Sequence, residues 1–344
     1  MQTTATNAAS ISVIIPTFNC GRWIREAVGS ALGQDHRPHQ VIVVDDGSTD
    51  DTAARLAPFG DRIVLERQKN AGVAAARNRG LALATGEFIA FLDADDAWHP
   101  RKLGLQLAAF ERSPCLGALG TRTYDCYGPT PQVVEANVST LALEHLAVKN
   151  YLATSSVMVR RAAVERAGLF DASLQGPEDH EYWIRLAEGA PVGVLDAPLT
   201  GYRVVPGSLS RRAAPMEAAV RRVLHTLDAR GFWRGRSALL RRHAYGYAAY
   251  ASASLHGDEG NNWRALRKIA ESLAWYPLAF SRAEAGVAWV RWRRLGVLLV
   301  RCLSEMRAPP SSGGASATHG ANDPQRAIPE DRADLVQADA HSAF

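Results

Sequence analysis

The sequence has few cysteines, and their spacing excludes two common uses of this residue. Only four occur among 344 residues, with no Cys-x-x-Cys pair and no Cys/His ligand spacing. This excludes a structural zinc module and a disulfide framework, and it favours a reducing compartment. The four residues are Cys20, Cys115, Cys126 and Cys302.

Long apolar runs and strong net charge are also missing. No run of about 18 apolar residues occurs, and residues 1–10 have neither the basic start nor the apolar centre of a signal peptide. We therefore expect a cytoplasmic protein in which residues 1–10 are disordered. The net charge of +4 and the lack of a recognised binding motif argue against a nucleic-acid partner.

Two nucleotide-binding fingerprints are absent as well. No Gly-x-Gly-x-x-Gly follows the first predicted strand, and no Gly-x₄-Gly-Lys-Ser/Thr occurs, which excludes the usual dehydrogenase and P-loop patterns. The composition is nevertheless that of a globular protein, with 47% hydrophobic and 22% charged residues. The length allows one large α/β domain with an appendage.

Strand and helix patterns alternate along residues 11–112. Short β-branched runs are each followed by apolar residues at helical spacing, which predicts a parallel sheet covered by helices. The predicted strands are 11–16, 41–44, 62–65 and 88–92. The pattern loosens over 113–210, where we predict strands at 118–124, 156–160 and 192–196 and a helix beginning near Glu178.

Carboxylates crowd the end of the predicted strand 88–92. Asp93, Asp95 and Asp96 follow within four positions, and crowded carboxylates are unfavourable unless a cation compensates them. Mg²⁺ and Mn²⁺ take oxygen ligands, and Mg²⁺ often uses one or two carboxylates together with phosphate oxygens. The pattern predicts a metal–diphosphate site; the alternative is that these aspartates only cap the next helix.

Polar residues also follow the first two strands. Asp46 is placed to accept a hydrogen bond from a nucleobase N–H or a ribose hydroxyl, although a turn followed by a helix cap explains the same residues. Because ligands of open α/β sheets bind outside the carboxyl ends of the strands, three strand ends should meet at one crevice. The other residues there are Thr17, Asn19 and Asp45.

Four segments together resemble the family-2 glycosyltransferases. They are VIIPTFN at 13–19, VDDGSTD at 44–50, ARN at 76–78 and LDADD at 92–96. The resemblance covers residues 11–210 and implies an α/β protein of the GT-A fold, with a Rossmann-like, mostly parallel central sheet and helices on both faces. In this fold, residues 11–112 would hold the nucleotide-sugar and residues 113–210 the acceptor. Residues implied in donor binding are Pro16, Thr17, Asn19, Asp45, Asp46, Asp93 and Ala94.

The resemblance also assigns charged residues. Asp95, with Asp93, matches the family's Asp-x-Asp metal ligands, which implies Mg²⁺ or Mn²⁺ as cofactor. Arg77 either neutralises diphosphate charge or is an ordinary exposed helix arginine. GYR at 201–203 and SLS at 208–210 resemble a closing loop, with Arg203 and Ser208 reaching phosphate oxygens, although a hairpin arginine is the alternative.

QGPEDHEYWIRL at 175–186 resembles the family's Glu-Asp motif, in which the aspartate is the base. That residue is Asp179 here. Inversion by single displacement needs a carboxylate to take the acceptor proton while a metal stabilises the leaving diphosphate. Two alternatives stay open: the acidic pair only begins a helix, or His180 is the base because its ordinary pKa of ~6.5 is nearer neutrality.

The C-terminal third is basic and helical over 211–307. Within 283–307, arginines alternate with tryptophans and aliphatic residues, as in a helix lying on an anionic membrane, but a helix packed on the catalytic domain explains them equally. The first explanation predicts peripheral contact at the inner face of the membrane. Residues 308–344, rich in Pro, Ser, Gly, Asp and Ala, are predicted to be a disordered tail.

These observations predict an inverting, metal-dependent glycosyltransferase. It would move a sugar from a nucleoside-diphosphate sugar to a hydroxyl of a glycan or lipid-linked glycan, in cell-envelope polysaccharide or lipopolysaccharide biosynthesis. The Gln-x-x-Arg-Trp motif of the family's processive synthases is missing, which favours single additions. The alternatives are a polyprenyl-phosphate sugar transferase and a non-catalytic nucleotide-binding module of the same fold.

Overall fold

A computed structural model describes residues 9–133, 136–174, 176–205, 208–278 and 290–307. The chain divides into two compact units, Met1–Arg234 and Gly235–Phe344. The predicted boundary after residue 210 lies inside the first unit. Residues 1–8 of the predicted disordered N-terminus, the predicted tail 308–344 and the first part of the 283–307 segment lie outside the described residues.

The first unit contains a nine-stranded sheet among the described residues, in the order β3-β2-β1-β4-β8-β6-β9-β5, with β7 paired to β9. The strands are β1 (Ile11–Thr17), β2 (Gln40–Asp45), β3 (Val64–Arg67), β4 (Phe88–Phe91), β5 (Ala97–Trp98), β6 (Ala118–Asp125), β7 (Val138–Leu141), β8 (Met158–Arg160) and β9 (Val192–Tyr202).

Eight α-helices of this unit are described. They are α1 (Ile24–Leu32), α2 (Thr52–Leu56), α3 (Val73–Leu83), α4 (Lys102–Arg112), α5 (Leu143–Val148), α6 (Arg161–Ala167), α7 (Glu178–Gly189) and α8 (Ala213–Ala229). The predicted α/β fold class is confirmed, including the alternation of strands and helices in the first half.

The first four strands are parallel, and their register aligns the polar residues at their ends. Thr17 of β1 lies opposite Asp45 of β2, and Asp45 lies opposite Arg67 of β3. All seven residues of β1 are buried, which explains the unbroken apolar run at 13–16, because strands covered on both faces do not alternate. The ends of β1 and β2 therefore meet at one edge, as predicted.

Three strands have boundaries that differ from the predicted ones by two residues or more. β8 begins at Met158 rather than at 156, because Thr154–Ser156 form a 3₁₀ turn. β3 begins at Val64 rather than at 62, because residues Ala57–Arg62 form a 3₁₀ turn in which Gly60 adopts φ 50°. β9 continues to Tyr202, well beyond 196, because its second half pairs with both β6 and β5. The long β9 brings residue 203 to the aspartates that follow β4.

Antiparallel pairs are concentrated in the second half of the sheet. β8 runs antiparallel to β4 and β6, whereas β6 and β9 are parallel. The short β5 pairs antiparallel with β9. The segment that follows the aspartates is thereby fixed against the strand that leads to Arg203.

An aromatic cluster holds α7 beneath the end of β4. The Phe170 and Tyr182 rings stack with centroids 3.9 Å apart, and Phe91 of β4 lies 6.0 Å from Trp183. Tyr182 and Trp183 are fully buried. Such pairs stabilise a fold beyond the area that they bury, so the first turn of α7 is anchored near the Asp-x-Asp loop.

The second unit is helical in its described part. α9 (Ala238–Asp258) and α10 (Asn262–Trp275) are joined by a tight turn, and α11 (Val290–Arg307) packs against α10. The Asn261 side chain caps α10 by accepting from Arg264 N. Within the described ranges, no helix has both the length and the apolar character needed to cross a membrane.

Candidate active site

Asn19 connects the loops that follow β1 and β2. Its Oδ1 accepts from the backbone N–H groups of Thr49, at 2.8 Å, and Asp50, at 3.3 Å, and its own N–H donates to Ser48 Oγ. Its backbone adopts φ 51°, a conformation that asparagine tolerates better than most residues. The structure thus gives Asn19 a loop-bracing role; its predicted contact with the donor stays a prediction.

Thr17, which follows Pro16 at the end of β1, lies beside Asp45 at the end of β2. Asp45 accepts from Ser48 N at 2.8 Å and is buried, so it shapes the turn after β2. The Thr17 hydroxyl is buried and has no hydrogen-bond partner among the described residues. Buried hydroxyls are normally paired, so an orphan of this kind marks a place where a ligand or a water completes the site.

The Asp46 carboxylate fixes the entry to α3. Its Oδ1 accepts from Gln68 Nε2 at 2.7 Å and from Ala71 N at 2.9 Å, and its Oδ2 accepts from Gly72 N at 2.8 Å. Gly72 has φ 91°, which a residue with a side chain rarely adopts. Because a carboxylate has about four acceptor positions, roughly one remains for a ligand.

Arg77 lies between the two halves of the first unit. One terminal nitrogen donates to Asp93 Oδ1 at 2.8 Å and the other to Glu178 Oε1 at 2.5 Å. Arg77 is only 3% exposed, so the alternative of an exposed helix arginine is wrong. Burial alone lowers the pKa of Arg77, but the Asp93 and Glu178 carboxylates raise it, so the residue stays charged. Its action on a diphosphate remains a prediction.

Glu178 carries the other end of this buried ion pair. Burial raises the pKa of Glu178 to about 7, although the Arg77 guanidinium opposes the rise. Its second oxygen accepts from Gly176 N at 3.2 Å. Both side chains are buried, and removal of one partner from a buried ion pair strongly lowers the free energy of unfolding, because the other charge is left without compensation.

Asp95 and Asp96 have different surroundings. Asp96 is buried; it accepts from Ser155 Oγ at 2.6 Å and from Arg203 N at 2.9 Å, and burial raises its pKa to about 8. Burial, followed by the adjacent Asp93 carboxylate, raises the pKa of Asp95 to about 6. No other residue in the described part of the chain donates a hydrogen bond to the Asp95 carboxylate. Ala94, between Asp93 and Asp95, is buried.

These aspartates do not cap the following helix, so that alternative is wrong. α4 begins at Lys102, its N-cap residue is Arg101, and no side chain caps it. The carboxylates of Asp93 and Asp95 therefore need another explanation. Burial, followed by the Asp93 carboxylate, raises the pKa of Asp95, and a bound divalent cation would offset both effects.

The donor set suits Mg²⁺ or Mn²⁺. In the described ranges, no group of three or more His, Cys, Asp and Glu side chains is placed to hold a metal by itself. Asp93 and Asp95 offer hard oxygen ligands of the number that such ions take from a protein when phosphates supply more. We conclude that the residues fit a metal–diphosphate site and do not fit a protein-only cage.

Arg203 borders the Asp-x-Asp loop. Its Nε donates to the Asp95 carbonyl at 2.7 Å, and its Nη2 donates to Glu26 at 2.7 Å. The guanidinium lies 4.0 Å from the Trp23 ring centroid and 5.2 Å from that of Tyr127. This enclosure holds a cation next to the carboxylates, and the predicted contact of Arg203 with phosphate oxygens stays a prediction.

Ser208 lies farther along the chain, directly before the 3₁₀ turn Leu209–Arg211. Its hydroxyl is within hydrogen-bond distance of the Ser210 hydroxyl, at 3.1 Å. It is half-buried, and no contact with the aspartates is described for it. The predicted reach of Ser208 to a phosphate therefore stays a prediction.

Asp179 lies in the first turn of α7, beside Glu178. Its Oδ2 accepts from Thr154 Oγ1 at 2.9 Å and from Asn150 Nδ2 at 3.2 Å, and its Oδ1 accepts from His180 N at 2.7 Å. The carboxylate is half-buried, so it is oriented by three donors yet reachable from outside. This suits a general base, whose geometry must be set before its pKa matters.

His180 has a different role. Its Nε2 lies 2.6 Å from the Leu146 carbonyl, and because a carbonyl only accepts, this nitrogen carries the proton. The ring is 7% exposed, and burial lowers its pKa. The structure therefore argues against His180 as the base and assigns it to the packing of α5 against α7.

The residues that orient the aspartates of the site are not among those predicted from the sequence. Asn150 and Thr154 hold Asp179, and Ser155 accepts from Asp93 N and donates to Asp96. Residues 154–156 form a short polar run between apolar residues, and all three are buried. A short polar run between apolar residues is a sequence signal for hydroxyls that hold other side chains, because hydroxyls that become buried need hydrogen-bond partners.

Comparison with known proteins decides the family. The model of the family described as "Glycosyl transferase family 2" matches residues 12–161 of this chain. A Bacillus subtilis protein described as a putative teichuronic acid biosynthesis glycosyltransferase, TuaG, is 32% identical over 208 residues, which cover 58% of this chain and 81% of that protein. The chain belongs to glycosyltransferase family 2.

Other relatives of this family-2 glycosyltransferase differ in length. The amylovoran biosynthesis glycosyltransferase AmsB of Erwinia amylovora is 29% identical over 281 residues, covering 76% of this chain and 89% of that protein. An uncharacterized glycosyltransferase of Rickettsia conorii is 30% identical over 207 residues, covering 59% of this chain. That match spans only 34% of the Rickettsia conorii protein, and a Rickettsia felis relative is matched over 33% of its length.

Solved structures support the GT-A fold. The mannosyltransferase PcManGT of Pyrobaculum calidifontis, in complex with GDP-Man and Mn²⁺, superposes with a TM-score of 0.54 at 20% identity, covering 87% of each chain. S. aureus TarS also gives a TM-score of 0.54 at 20% identity, covering 79% of this chain and 50% of that chain. At this identity, the likeness establishes the fold.

Proposed function

We propose that this family-2 glycosyltransferase transfers a sugar, with inversion, from a nucleoside-diphosphate sugar to a hydroxyl of a glycan or lipid-linked glycan. One observation carries the proposal. Arg77 bridges Asp93, the first aspartate of the Asp-x-Asp pair, and Glu178, the neighbour of Asp179. The carboxylates suited to a metal–diphosphate and the carboxylate suited to a base thus flank a single buried arginine.

The donor side is formed by the strand ends and the Asp-x-Asp loop. Asp95 and Asp93 would hold Mg²⁺ or Mn²⁺, which when bound stabilises negative charge on the leaving diphosphate. Arg203 holds a positive charge beside Asp95, where a phosphate oxygen can replace part of its contact with Glu26. The orphan hydroxyl of Thr17 and the remaining acceptor position of Asp46 would serve the nucleoside.

The acceptor side depends on Asp179. Its carboxylate takes the proton of the acceptor hydroxyl as that oxygen attacks the anomeric carbon and the bond from this carbon to the diphosphate oxygen breaks. Attack from the face opposite the leaving group inverts the configuration. Thr154 and Asn150 hold the carboxylate in one orientation, which lowers the entropic cost of reaching the reactive geometry.

The names of relatives support a role in cell-envelope polysaccharide synthesis. AmsB is named for amylovoran biosynthesis and TuaG for teichuronic acid biosynthesis. We extend this setting to the present chain, with the reaction on the cytoplasmic side of the membrane. Transfer to a polyprenyl phosphate and nucleotide binding without catalysis are the competing functions, and the intact Asp95 and Asp179 count against the second.

Calorimetric titration tests the donor site. UDP, GDP and dTDP would each be added with Mn²⁺ or Mg²⁺ present and again after chelation. We expect one nucleotide to bind in a metal-dependent way, and we expect Asp95→Asn to remove that dependence. Asp61→Asn, at an exposed position in the turn before β3, is the matched control. Failure of all three nucleotides to bind would refute the proposal.

A further inference from the structure

The last described helix, α11, has two apolar sides. Arg291, Leu298 and Cys302 are buried on one side, and Arg291 donates to the Tyr276 carbonyl at 2.7 Å and to Ser272 Oγ at 3.2 Å. These contacts fix α11 against α10. The helix is therefore part of a packed helical unit and needs no partner in order to fold.

A second side of α11, next to the buried one, is apolar and exposed. At about 100° per residue, Met306, Leu299, Leu303 and Val300 fall within an arc of about 120°, which begins about 40° from Cys302 and extends away from the buried side. Their exposed fractions are 61%, 44%, 46% and 64%. We call these four residues the outer face. Trp292, which is 44% exposed, falls within the same arc at the N-terminal end of the helix.

Positive charge borders the outer face. Arg293 lies about 20° beyond Val300 around the helix, and the exposed Arg301 lies about 80° farther along the same flank, toward the buried side. Residues 290–307 contain a single acid, Glu305, and five arginines, of which Arg291 is buried and adds no charge to the exposed surface. A helix with a contiguous apolar arc and a cationic border is complementary to a surface that is apolar inside and negatively charged at its edge.

We propose that the outer face of α11 binds the interface of an anionic lipid bilayer. The four apolar side chains would enter the boundary between headgroups and acyl chains, while Arg293 and Arg301 contact lipid phosphates. A second copy of the chain is a poorer occupant, because face-to-face packing of two such helices would place arginines against arginines. This inference does not depend on the donor or on catalysis.

Vesicle sedimentation with the full chain tests the proposal. We expect the protein to bind vesicles that contain phosphatidylglycerol much more strongly than vesicles of phosphatidylcholine alone, and binding to weaken as salt is raised. The double variant Leu299→Gln, Leu303→Gln should bind the vesicles at least about tenfold more weakly, because it removes apolar side chains from the interface. Its fold would be checked by circular dichroism.

The chain offers a matched control. Val64 and Leu65 on the edge strand β3 are exposed to similar extents, 40% and 49%, so Val64→Gln, Leu65→Gln changes the same kind of surface elsewhere. This control should bind vesicles like the unaltered protein. Arg293→Gln, Arg301→Gln should weaken binding and flatten its salt dependence, and it provides a second test if the leucine variant does not fold.

Three results would overturn the proposal. The first is a lack of binding to anionic vesicles by the unaltered protein. The second is equal binding by the leucine variant and the β3 control. The third is a dimer in sedimentation equilibrium that the leucine variant dissociates while vesicle binding is unchanged, which would assign the outer face to a second copy.

Discussion

Arg77 Nη1 lies 2.5 Å from Glu178 Oε1, although the two residues are 101 positions apart in the chain. Arg77 belongs to α3, in the half that carries the nucleotide-binding motifs, and Glu178 begins α7, in the half assigned to the acceptor. The pair is buried on both sides. It therefore fixes the start of α7, and with it Asp179, relative to the Asp-x-Asp loop.

Removing the Arg77 guanidinium should destabilise the fold strongly. Arg77→Met leaves Asp93 and Glu178 without their cation, and we expect the free energy of unfolding to fall by about 3–5 kcal/mol. Urea unfolding followed by circular dichroism measures this. Arg79→Met, which breaks only the exposed pair with Glu66, should cost about 1 kcal/mol or less. Equal losses in the two variants would show that the buried pair has no special role.

Asp179→Asn should remove turnover and spare donor binding. The amide is nearly isosteric but cannot take a proton, so we expect kcat to fall by about 10²–10⁴ while the nucleotide Kd stays within about twofold. Steady-state kinetics and calorimetry on the same preparation measure both. Asp196→Asn, at an exposed site on β9, is the control. Retained turnover in Asp179→Asn would place the base elsewhere.

Thr154 should act as a positioning residue for Asp179. Thr154→Val removes the hydroxyl that donates to Asp179 at 2.9 Å, and we expect kcat to fall about tenfold with the donor KM unchanged. Thr154→Ser keeps the hydroxyl and should restore most of the rate. A valine variant that loses stability and donor binding together, with no rescue by serine, would indicate a packing role only.

Lys102 should make stability depend on pH above neutrality. It is fully buried, with Gln106 Oε1 at 2.9 Å from Nζ, and burial lowers its pKa well below the ordinary value of 10.5. Between the lowered pKa and 10.5, the unfolded chain binds a proton that the folded chain does not. Stability therefore rises with pH in that window, by up to about 1.4 kcal/mol per pH unit.

The comparison with Lys102→Met isolates this effect. Other titrating groups act equally on both proteins, so the difference between their unfolding free energies should move in favour of the unaltered chain from pH 8 to pH 10. Urea unfolding at three pH values measures the difference. A difference that does not vary with pH would mean that Lys102 stays protonated in the folded state, held by Gln106 and the Trp98 ring, which lies 4.2 Å from Nζ.

Prediction from sequence succeeded where the signal is local. The buried run of β1 and the acidic end of β4 are both visible in fewer than about ten consecutive residues, because period and composition report burial directly. Boundaries were less accurate. β9 is longer than its apolar pattern suggests, since its last residues are held by pairing with β6 and β5 rather than by their own apolar pattern.

The partners of the predicted site residues were not visible in the sequence. The sequence leaves open whether Arg77 neutralises a diphosphate or is an exposed helix arginine, and it gives no sign that both terminal nitrogens bind protein carboxylates, as they do in the structure. Asp46 was assigned to a nucleoside, yet it already accepts from Gln68, Ala71 and Gly72. A motif shows which chemical groups are present, but it does not show which of them form hydrogen bonds or ion pairs with one another.

The sequence by itself determined the family, the α/β fold and the identity of the carboxylates, since each follows from residues adjacent in the chain. Only the tertiary structure decided that the Asp96 carboxylate accepts hydrogen bonds from Ser155 and Arg203, whereas the Asp95 carboxylate accepts none from other described residues. It also decided that His180 is buried against Leu146. The physical reason is that hydrogen bonds and desolvation depend on residues brought together from distant positions, and no local pattern encodes those distances.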